Sequence, residues 1–305
     1  MKIGNINDTS NLGQRMNAGY NKRPIKRFIT NLSDMINQLK YKKHEAISFG
    51  ERELRISGAD FSNRIFENCV ISAKELINCD FQNTTFKNCI IKGDIEKCSF
   101  KGAIFEKCTF GDGKNTLAHV DFSNCYFNKC DFSNTKIMAS SFKNANIAHS
   151  NFADKPGNDR IGDNVFALDS LGTPVDFTGA NILNTEFAGN NIPVCFDNAI
   201  LNQPTFRGIS DGRGHDMLSL NNMSLKSTIM SNPRFINTEL NPANNSTLAV
   251  KDAGFYNCSN KDAFIESVKD NLHVFNEMNA SVESWADSRT MQLEAEFAEN
   301  EIELD

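Results

Sequence analysis

The sequence predicts a mainly β fold, a solenoid that turns a corner every five residues. A large apolar residue recurs at every fifth position, as in FSNCYFNKCDFSN at 122–134. A small residue stands two positions before it, and Asn or Gly commonly stands two positions after it. Neither the 3.6-residue period of a helix nor the two-residue period of a strand produces this spacing. The three observations together indicate one repeated structural unit.

The central apolar residue of each unit, here called position i, forms a long series. A one-residue deletion precedes Ile95, and GDGKNT (111–116) contributes two extra residues. The series covers residues 61–91, 95–110, 117–152, 177–192, 196–206 and 220–240, and ends at Phe255. The break between Phe152 and Phe177 is its longest interruption.

The neighbouring positions are as restricted as the centre. Position i−2 is filled by small residues such as Ala59, Cys79 and Ala103, and position i+2 by Asn63, Gly93 and their equivalents. This order of small, any, large, any and turn residue resembles the pentapeptide-repeat family. The resemblance implies a right-handed quadrilateral parallel β-helix with four repeats per coil and helical capping segments.

The columns of residues support four repeats per coil independently. When every fourth centre is stacked, one face is all Phe, and another is aliphatic, with Leu76, Ile95, Leu117 and Ile137. The predicted core ladders are Phe61, Phe81, Phe100, Phe122 and Phe142 for the rings, and Cys69, Cys89, Cys108 and Cys130 for the thiols. Coils then lie about 4.8 Å apart, as neighbouring strands do. We interpret these columns as core, because small thiols and rings are commonly buried.

The two ends differ from the middle, which gives three predicted segments. Residues 1–46 combine an Asn/Ser-rich start with a basic amphipathic helix at 25–39, residues 47–258 form the β-helix, and residues 259–305 form a helical acidic segment. Loop insertions are expected near 111–116, 153–174 and 207–216. The basic helix can pack on the front of its own solenoid or lie on an anionic membrane surface. The C-terminal segment can cap the rear, because an open solenoid end exposes apolar rings.

Composition limits the classes of function. The formal net charge of −6 argues against direct nucleic-acid binding. No apolar run is long enough to span a membrane. The start lacks the apolar segment of a cleaved signal peptide, so we expect the bacterial cytoplasm, or export without such a peptide, as in type III-like secretion into a host cell. The nine cysteines include no C-x-x-C pair, which favours free thiols.

The motifs for catalysis and metal binding are weak. The five histidines match no zinc spacing, and GDGKNT fits a corner insertion better than a phosphate loop. The acidic stretch 154–164 does not match a calcium loop, and Cys258 with His273 is better explained by the repeat register. We therefore expect no enzyme activity, no cofactor and no metal.

Two kinds of function remain. One is a protein–protein interaction scaffold. The chain resembles members of the family that bacteria secrete into host cells, which implies an effector that acts on a host protein in virulence. The other is protection of a topoisomerase. Resemblance to the topoisomerase-protection branch of the family implies a negatively charged protein that mimics duplex DNA. Residues 60–152 contain eleven Lys or Arg and ten Asp or Glu, so their net charge is close to zero. Duplex DNA, in contrast, carries one negative charge per about 1.7 Å. This balance favours the scaffold, with a partner and an oligomeric state that the sequence does not identify.

The break at 153–174 is the predicted recognition element. It contains residues that interrupt regular secondary structure, such as Gly172 and Pro174, together with a cation and apolar side chains. Arg and aromatic residues dominate binding hot spots. The hypothetical partner-binding residues are Arg160, Phe166, Leu168 and, in the acidic tail, Trp285. The alternatives for this interval are a disordered insertion and an internal prop packed on the solenoid.

Overall fold

The structure is a computed structural model in which residues 55–111, 115–133, 135–153, 165–189, 191–209, 217–240 and 247–268 are described. Its elements are short strands, one 3₁₀ turn at Leu220–Asn222 and one helix. In chain order they are β1 Arg55–Ser57, β2 Ile65–Glu67, β3 Val70–Ile77, β4 Thr85–Lys87, β5 Ile90–Glu96, β6 Ile104–Glu106, β7 Thr109–Phe110, β8 Asn115–Ala118, β9 Tyr126–Asn128, β10 Thr135–Met138, β11 Asn146–Ala148, β12 Asn151–Ala153, β13 Phe166–Ala167, β14 Val175–Asp176, β15 Asn181–Leu183, β16 Glu186–Ala188, β17 Val194–Cys195, β18 Ile200–Asn202, β19 Thr205–Arg207, β20 Leu218–Ser219, β21 Met223–Ser224, β22 Ile229–Ser231, β23 Arg234–Ile236, β24 Thr238–Glu239, β25 Ala249–Lys251, β26 Gly254–Tyr256 and α1 Lys261–Val268.

All paired strands are parallel and come from successive coils. The longest sheet has nine strands, in the order β2-β4-β6-β9-β11-β15-β18-β22-β25, and so records nine coils. Its register aligns each centre with the next, for example Phe66 with Phe86 and Phe86 with Phe105. The mainly β parallel solenoid predicted from the sequence is therefore confirmed.

Four faces surround the interior. Face 1 has Phe61, Phe81 and Phe100 as its first centres, and its strands include β14, β17 and β21. Face 2 is the nine-stranded sheet. Face 3 contains the sheet β12-β16-β19-β23-β26, and face 4 contains the path β1-β3-β5-β8-β10-β13. The four-residue step from Ile91 to Ile95 is accommodated by a register shift between β3 and β5.

The predicted columns of rings fill the interior. In face 1 the ring centroids of Phe61 and Phe81 are 4.8 Å apart, and those of Phe81 and Phe100 are 4.6 Å apart. Rings of adjacent faces meet at an angle, as Phe86 and Phe100 do at 54°. Both geometries suit aromatic rings, since they avoid face-to-face overlap of like charge. The core is thus a set of ladders at the spacing of the strands.

The Cys and Thr side chains at position i−2 also donate hydrogen bonds inside the coil. The Cys89 Sγ donates to the Phe66 carbonyl of the preceding coil at 3.2 Å, and the Thr84 Oγ1 donates to the Phe61 carbonyl at 2.8 Å. The Cys130 Sγ reaches the Phe105 carbonyl at 3.4 Å. Size alone therefore does not explain the choice of Cys and Thr, because a donor at this position also satisfies a buried carbonyl.

The corners explain Asn and Gly at position i+2. Asn63, Asn68 and Asn83 have φ values of 55°, 52° and 55°, a left-handed conformation that Asn tolerates better than most residues. Gly93 has a φ of 110°, and a Cβ there would lie 1.9 Å from the Ala73 carbonyl oxygen. The shortened coil can therefore accept only glycine at this corner.

Helix α1 closes the rear of the solenoid. Phe264 and Val268 are its buried residues, and the Phe264 ring lies 5.6 Å from that of Phe235. The predicted rear cap is present over these residues. The predicted helix at 25–39 and the part of the predicted helical segment 259–305 beyond Val268 lie outside the described residues, so they stay predictions.

Candidate interaction surface

The fifth coil contains two insertions rather than one continuous loop. Phe152 is the centre of β12 on face 3, and Phe166 pairs with Ile137 on face 4. The chain then needs eleven residues instead of five to reach Phe177, the next centre on face 1. The second insertion forms a turn at 168–173 that projects from the rod between faces 4 and 1.

Asp169 organises this projecting turn. Its Oδ1 accepts hydrogen bonds from the Leu171 and Thr173 amides at 3.0 and 2.8 Å. The Gly172 amide donates to the Asp169 carbonyl at 3.1 Å, and Gly172 has a φ of 77°. An Asp side chain commonly fixes a turn in this way. The turn therefore has a defined shape despite its position outside the coil.

Electrostatics reinforce the same contacts. The Thr173 amide, with further hydrogen bonds and His119, lowers the pKa of Asp169 from its ordinary value. The His119 Nε2 lies 4.0 Å from the Asp169 Oδ2. Because His119 occupies a left-handed corner two coils earlier, this contact ties the turn to the rod.

The tip of the turn is apolar and exposed. Leu171 is 87% exposed and Leu168 is 45% exposed. Other large exposed apolar residues are separate from it along the chain: Ile65, Ile90, Tyr256 and Ile265. Leu168 and Leu171 lie outside the hydrophobic core of the coil, so both are available for contact with another molecule.

The structure corrects the prediction for Phe166. Its side chain is 1% exposed, and its ring lies 5.7 Å from Phe152 and 5.9 Å from Phe177. It cannot contact a partner, because it fills the core position that an aliphatic residue holds in earlier coils. The idea that 153–174 leaves the solenoid throughout is corrected for the same reason, since β13 and the core residue Val165 lie within it.

The other predicted binding residues have different outcomes. Leu168 is exposed on the turn, so its role as a contact stays a prediction. Arg160 and Trp285 lie outside the described residues. Leu171 is more exposed than Leu168, a difference that the spacing of the repeat does not reveal.

The comparison with known families addresses the repeat itself. A family model of pentapeptide repeats matches residues 117–154 in eight copies. These residues form parts of the fourth and fifth coils, and the same four-sided register continues on both sides of them. The match confirms, over these residues, the pentapeptide repeats predicted from the sequence.

Solved structures of other proteins resemble this chain at low identity. One is HetL, a pentapeptide-repeat protein involved in heterocyst differentiation regulation from the cyanobacterium Nostoc sp., with 12% identity, a TM-score of 0.40, and coverage of 75% of this chain and 94% of HetL. Another is full-length QnrB1, a plasmid-mediated fluoroquinolone resistance protein, with 14% identity, a TM-score of 0.23, and coverage of 72% and 98%. No curated protein matches the chain.

The solenoid has free thiols in its core. All nine cysteines lie within the described residues and are free, seven of them buried and Cys195 and Cys258 half-buried. Burial raises the pKa of the Cys125 and Cys108 thiols, which makes them poor nucleophiles at neutral pH.

The described part of the chain offers no metal-binding cluster and no membrane-spanning helix. No group of three or more His, Cys, Asp and Glu side chains there is arranged to hold a metal ion. None of the helices there has the length and apolar character needed to cross a membrane. The surface turn at 168–173 is therefore the candidate site with the best-defined geometry.

Proposed function

We propose that this pentapeptide-repeat protein is a non-enzymatic scaffold that binds a protein partner through the turn at 168–173. The observation that carries the proposal is the exposed pair Leu168 and Leu171 on a turn fixed by Asp169. A turn already held in one shape loses little conformational freedom on binding. Two leucines offer an apolar contact that a protein surface can bury.

The charge pattern favours this function over DNA mimicry. Acidic groups on the described surface alternate with or pair with cations, as Asp176 does with Lys143 at 3.0 Å and Glu75 with Arg55 at 3.0 Å. On face 1, Lys101 and Lys143 stand among the aspartates. A DNA mimic needs a continuous negative surface, and paired charges reduce that field.

The test is a comparison of partner capture by two full-length proteins, wild type and Leu168→Asp/Leu171→Asp, from bacterial and host-cell lysates. We expect the double variant to lose the proteins that wild type captures, with an unchanged melting temperature, because neither side chain packs in the core. Ile265→Asp is the matched control, since it places the same charge on an exposed apolar site of α1. Equal capture by wild type and the Leu168/Leu171 variant would overturn the proposal.

Location and export form a separate part of the proposal. We propose that the protein acts in the bacterial cytoplasm or, as an effector, in a host cell that it enters without a cleaved signal peptide. An epitope-tagged full-length chain followed in culture medium and in infected host cells tests this. Detection only inside the bacterium would remove the effector role and leave the scaffold role standing.

A further inference from the structure

An apolar column on the outer surface of face 4 adjoins the turn at 168–173. It consists of the residues at position i+1 in three successive coils, Ala118, Met138 and Ala167, all of them half-buried. Met138 pairs with Ala118 in β8 and with Ala167 in β13, so the three residues lie side by side. Leu168 follows Ala167 directly in the chain. The column and the exposed leucines of the turn are therefore neighbouring parts of one apolar surface.

Lys136, at position i−1 in β10, is an exposed cation beside this column. Two cations nearby have carboxylate partners. The Lys97 Nζ lies 2.6 Å from the Glu96 Oε1, and the Lys143 Nζ lies 3.0 Å from the Asp176 Oδ2. Lys136 has no such ion pair among the described residues. Its charge is therefore available to the carboxylate of a partner.

The surroundings of Lys136 on face 4 are neutral over the described coils. The residues at the same position in the adjacent coils are Thr116 and Val165. Asp94 lies two coils earlier, and its Oδ1 accepts a hydrogen bond from the Thr116 amide at 2.9 Å. A carboxylate that pairs with Lys136 has to come from outside this face.

The dimensions of the surface fit a short extended segment. From Ala118 to Ala167 the column extends two coil spacings, about 10 Å. A stable interface between folded domains buries about 800 Å² on each partner, and a column of this length is too small for that. Lys136 and Met138 are two residues apart in β10, a distance of about 6–7 Å. Alternate side chains of an extended chain have the same spacing and lie on one face.

We propose that the partner lies on face 4 through an extended segment that carries an aliphatic side chain and, two residues away, a carboxylate. This chemistry of the partner rests on the proposed function of the turn. The aliphatic side chain packs on Met138 and Ala118 beside the turn, and the carboxylate pairs with Lys136. A basic segment would place like charges together, which is unfavourable.

NMR titration of the full-length protein with two synthetic peptides tests the proposal, because the Met138 methyl group reports on the column. The acidic peptide repeats Leu-Ser-Asp-Ser, which places Leu and Asp in alternation on one face of an extended chain. The basic peptide has Lys in place of Asp. We expect the acidic peptide to shift the Met138 signal at a roughly fivefold lower concentration, as an exposed ion pair allows. Met138→Leu assigns the signal.

A charge reversal provides the decisive variant. Lys136→Glu should reverse the preference, so that the basic peptide shifts the Met138 signal at the lower concentration. Lys143→Glu is the matched control, because it reverses an exposed cation on the neighbouring face and should leave the preference for the acidic peptide unchanged. Equal responses to the two peptides, no response to either, or a preference that Lys136→Glu does not change would overturn the proposal.

Capture from lysates separates this proposal from the proposed function. We expect Lys136→Glu to reduce capture of the proteins that Leu168→Asp/Leu171→Asp loses. Loss with the leucine variant and full capture by Lys136→Glu would leave the binding role of the turn standing and overturn the acidic chemistry of the partner. A Met138 signal that shifts on dilution of the protein alone would assign the surface to a second copy of the chain, and would also overturn it.

Discussion

At the scale of single residues, the corners of the coil require a left-handed backbone from whatever side chain the sequence places there. Most corners carry Asn or Gly, but Ala139 occupies one at a φ of 45°. A residue with a Cβ pays about 1–2 kcal/mol in this conformation. Ala139 can therefore be improved by a substitution that changes no packing contact.

We expect Ala139→Gly to raise the free energy of unfolding by up to about 1 kcal/mol, because relief of the left-handed strain exceeds the greater freedom of the unfolded glycine. Ala118→Gly is the matched control: Ala118 lies in β8 without a positive φ, so the same change should lower stability by about 0.5–1 kcal/mol. Urea unfolding of both variants measures the difference. Destabilisation by both would contradict the explanation of the corners.

The thiols provide a second prediction at this scale. Burial raises the pKa of Cys125 and Cys108, and it keeps seven of the nine thiols away from reagents in solution. We expect Ellman's reagent to modify the half-buried Cys195 and Cys258 first in the native protein, and all nine cysteines after denaturation. Mass spectrometry of the labelled peptides measures the order. Rapid labelling of Cys89 or Cys130 in the native state would show that the core opens.

The sequence predicts the residue types at the corners and inside the coil, but not the second role of the residues at position i−2. Cys89 and Thr84 share a small size, which the pattern shows directly. Their hydrogen bonds to carbonyls of the preceding coil depend on the stagger between coils, which a one-dimensional pattern does not contain. In the sequence, Thr at position i−2 differs from the more common Cys. In the structure, both side chains donate an equivalent hydrogen bond.

At the scale of elements, the stacked rings hold neighbouring coils together. Phe100 is buried between Phe81 at 4.6 Å and Phe122 at 5.1 Å. We expect Phe100→Ala to cost about 3–5 kcal/mol, because the variant loses the transfer free energy and leaves a cavity. Lys101→Ala, one residue along and exposed, should cost less than about 0.5 kcal/mol. Thermal or urea unfolding compares them, and equal small losses would contradict the four-fold register.

The turn at 168–173 has a predicted dependence on pH. Its hydrogen bonds hold the pKa of Asp169 below the ordinary value of 3.8. A depressed pKa contributes stability that is present above the unfolded value and disappears as pH falls through the folded value. We expect amide exchange of Leu171 and Thr173, measured by NMR, to accelerate in acid beyond its intrinsic pH dependence. Asp169→Asn should remove this extra effect, and its persistence in that variant would assign it to another group.

The position of Phe166 shows where prediction from the pattern stops. The interval from Phe152 to Phe177 is a multiple of five, yet no large residue falls at the expected positions within it. The chain instead inserts residues on both sides of Phe166, so the ring returns to face 4 out of phase. Periodicity identifies centres only when the spacing is constant, and it cannot assign one ring between two insertions of unknown length.

At the scale of the whole molecule, the strands of each coil pair with those of the neighbouring coils, so stability is distributed along one axis. The front and middle coils have stacked rings on several faces, whereas at the rear Gly254 and Tyr256 of β26 are exposed. We expect hydrogen exchange to be slowest in β6, β9 and β11 and fastest in β26. Mass spectrometry of the exchanged peptides measures this gradient, and uniform protection along the chain would show that the solenoid unfolds as one unit.

The parallel ladders also determine how the rod responds to mechanical force. Hydrogen bonds between coils, such as those joining β6 to β9, run along the axis of the solenoid. Tension applied to its two ends therefore acts on the backbone hydrogen bonds of one coil at a time. It does not shear the hydrogen bonds of many coils at once. Each released coil of about 20 residues adds about 70 Å of extended chain. A single-molecule pulling trace should show a low, regular series of extension steps.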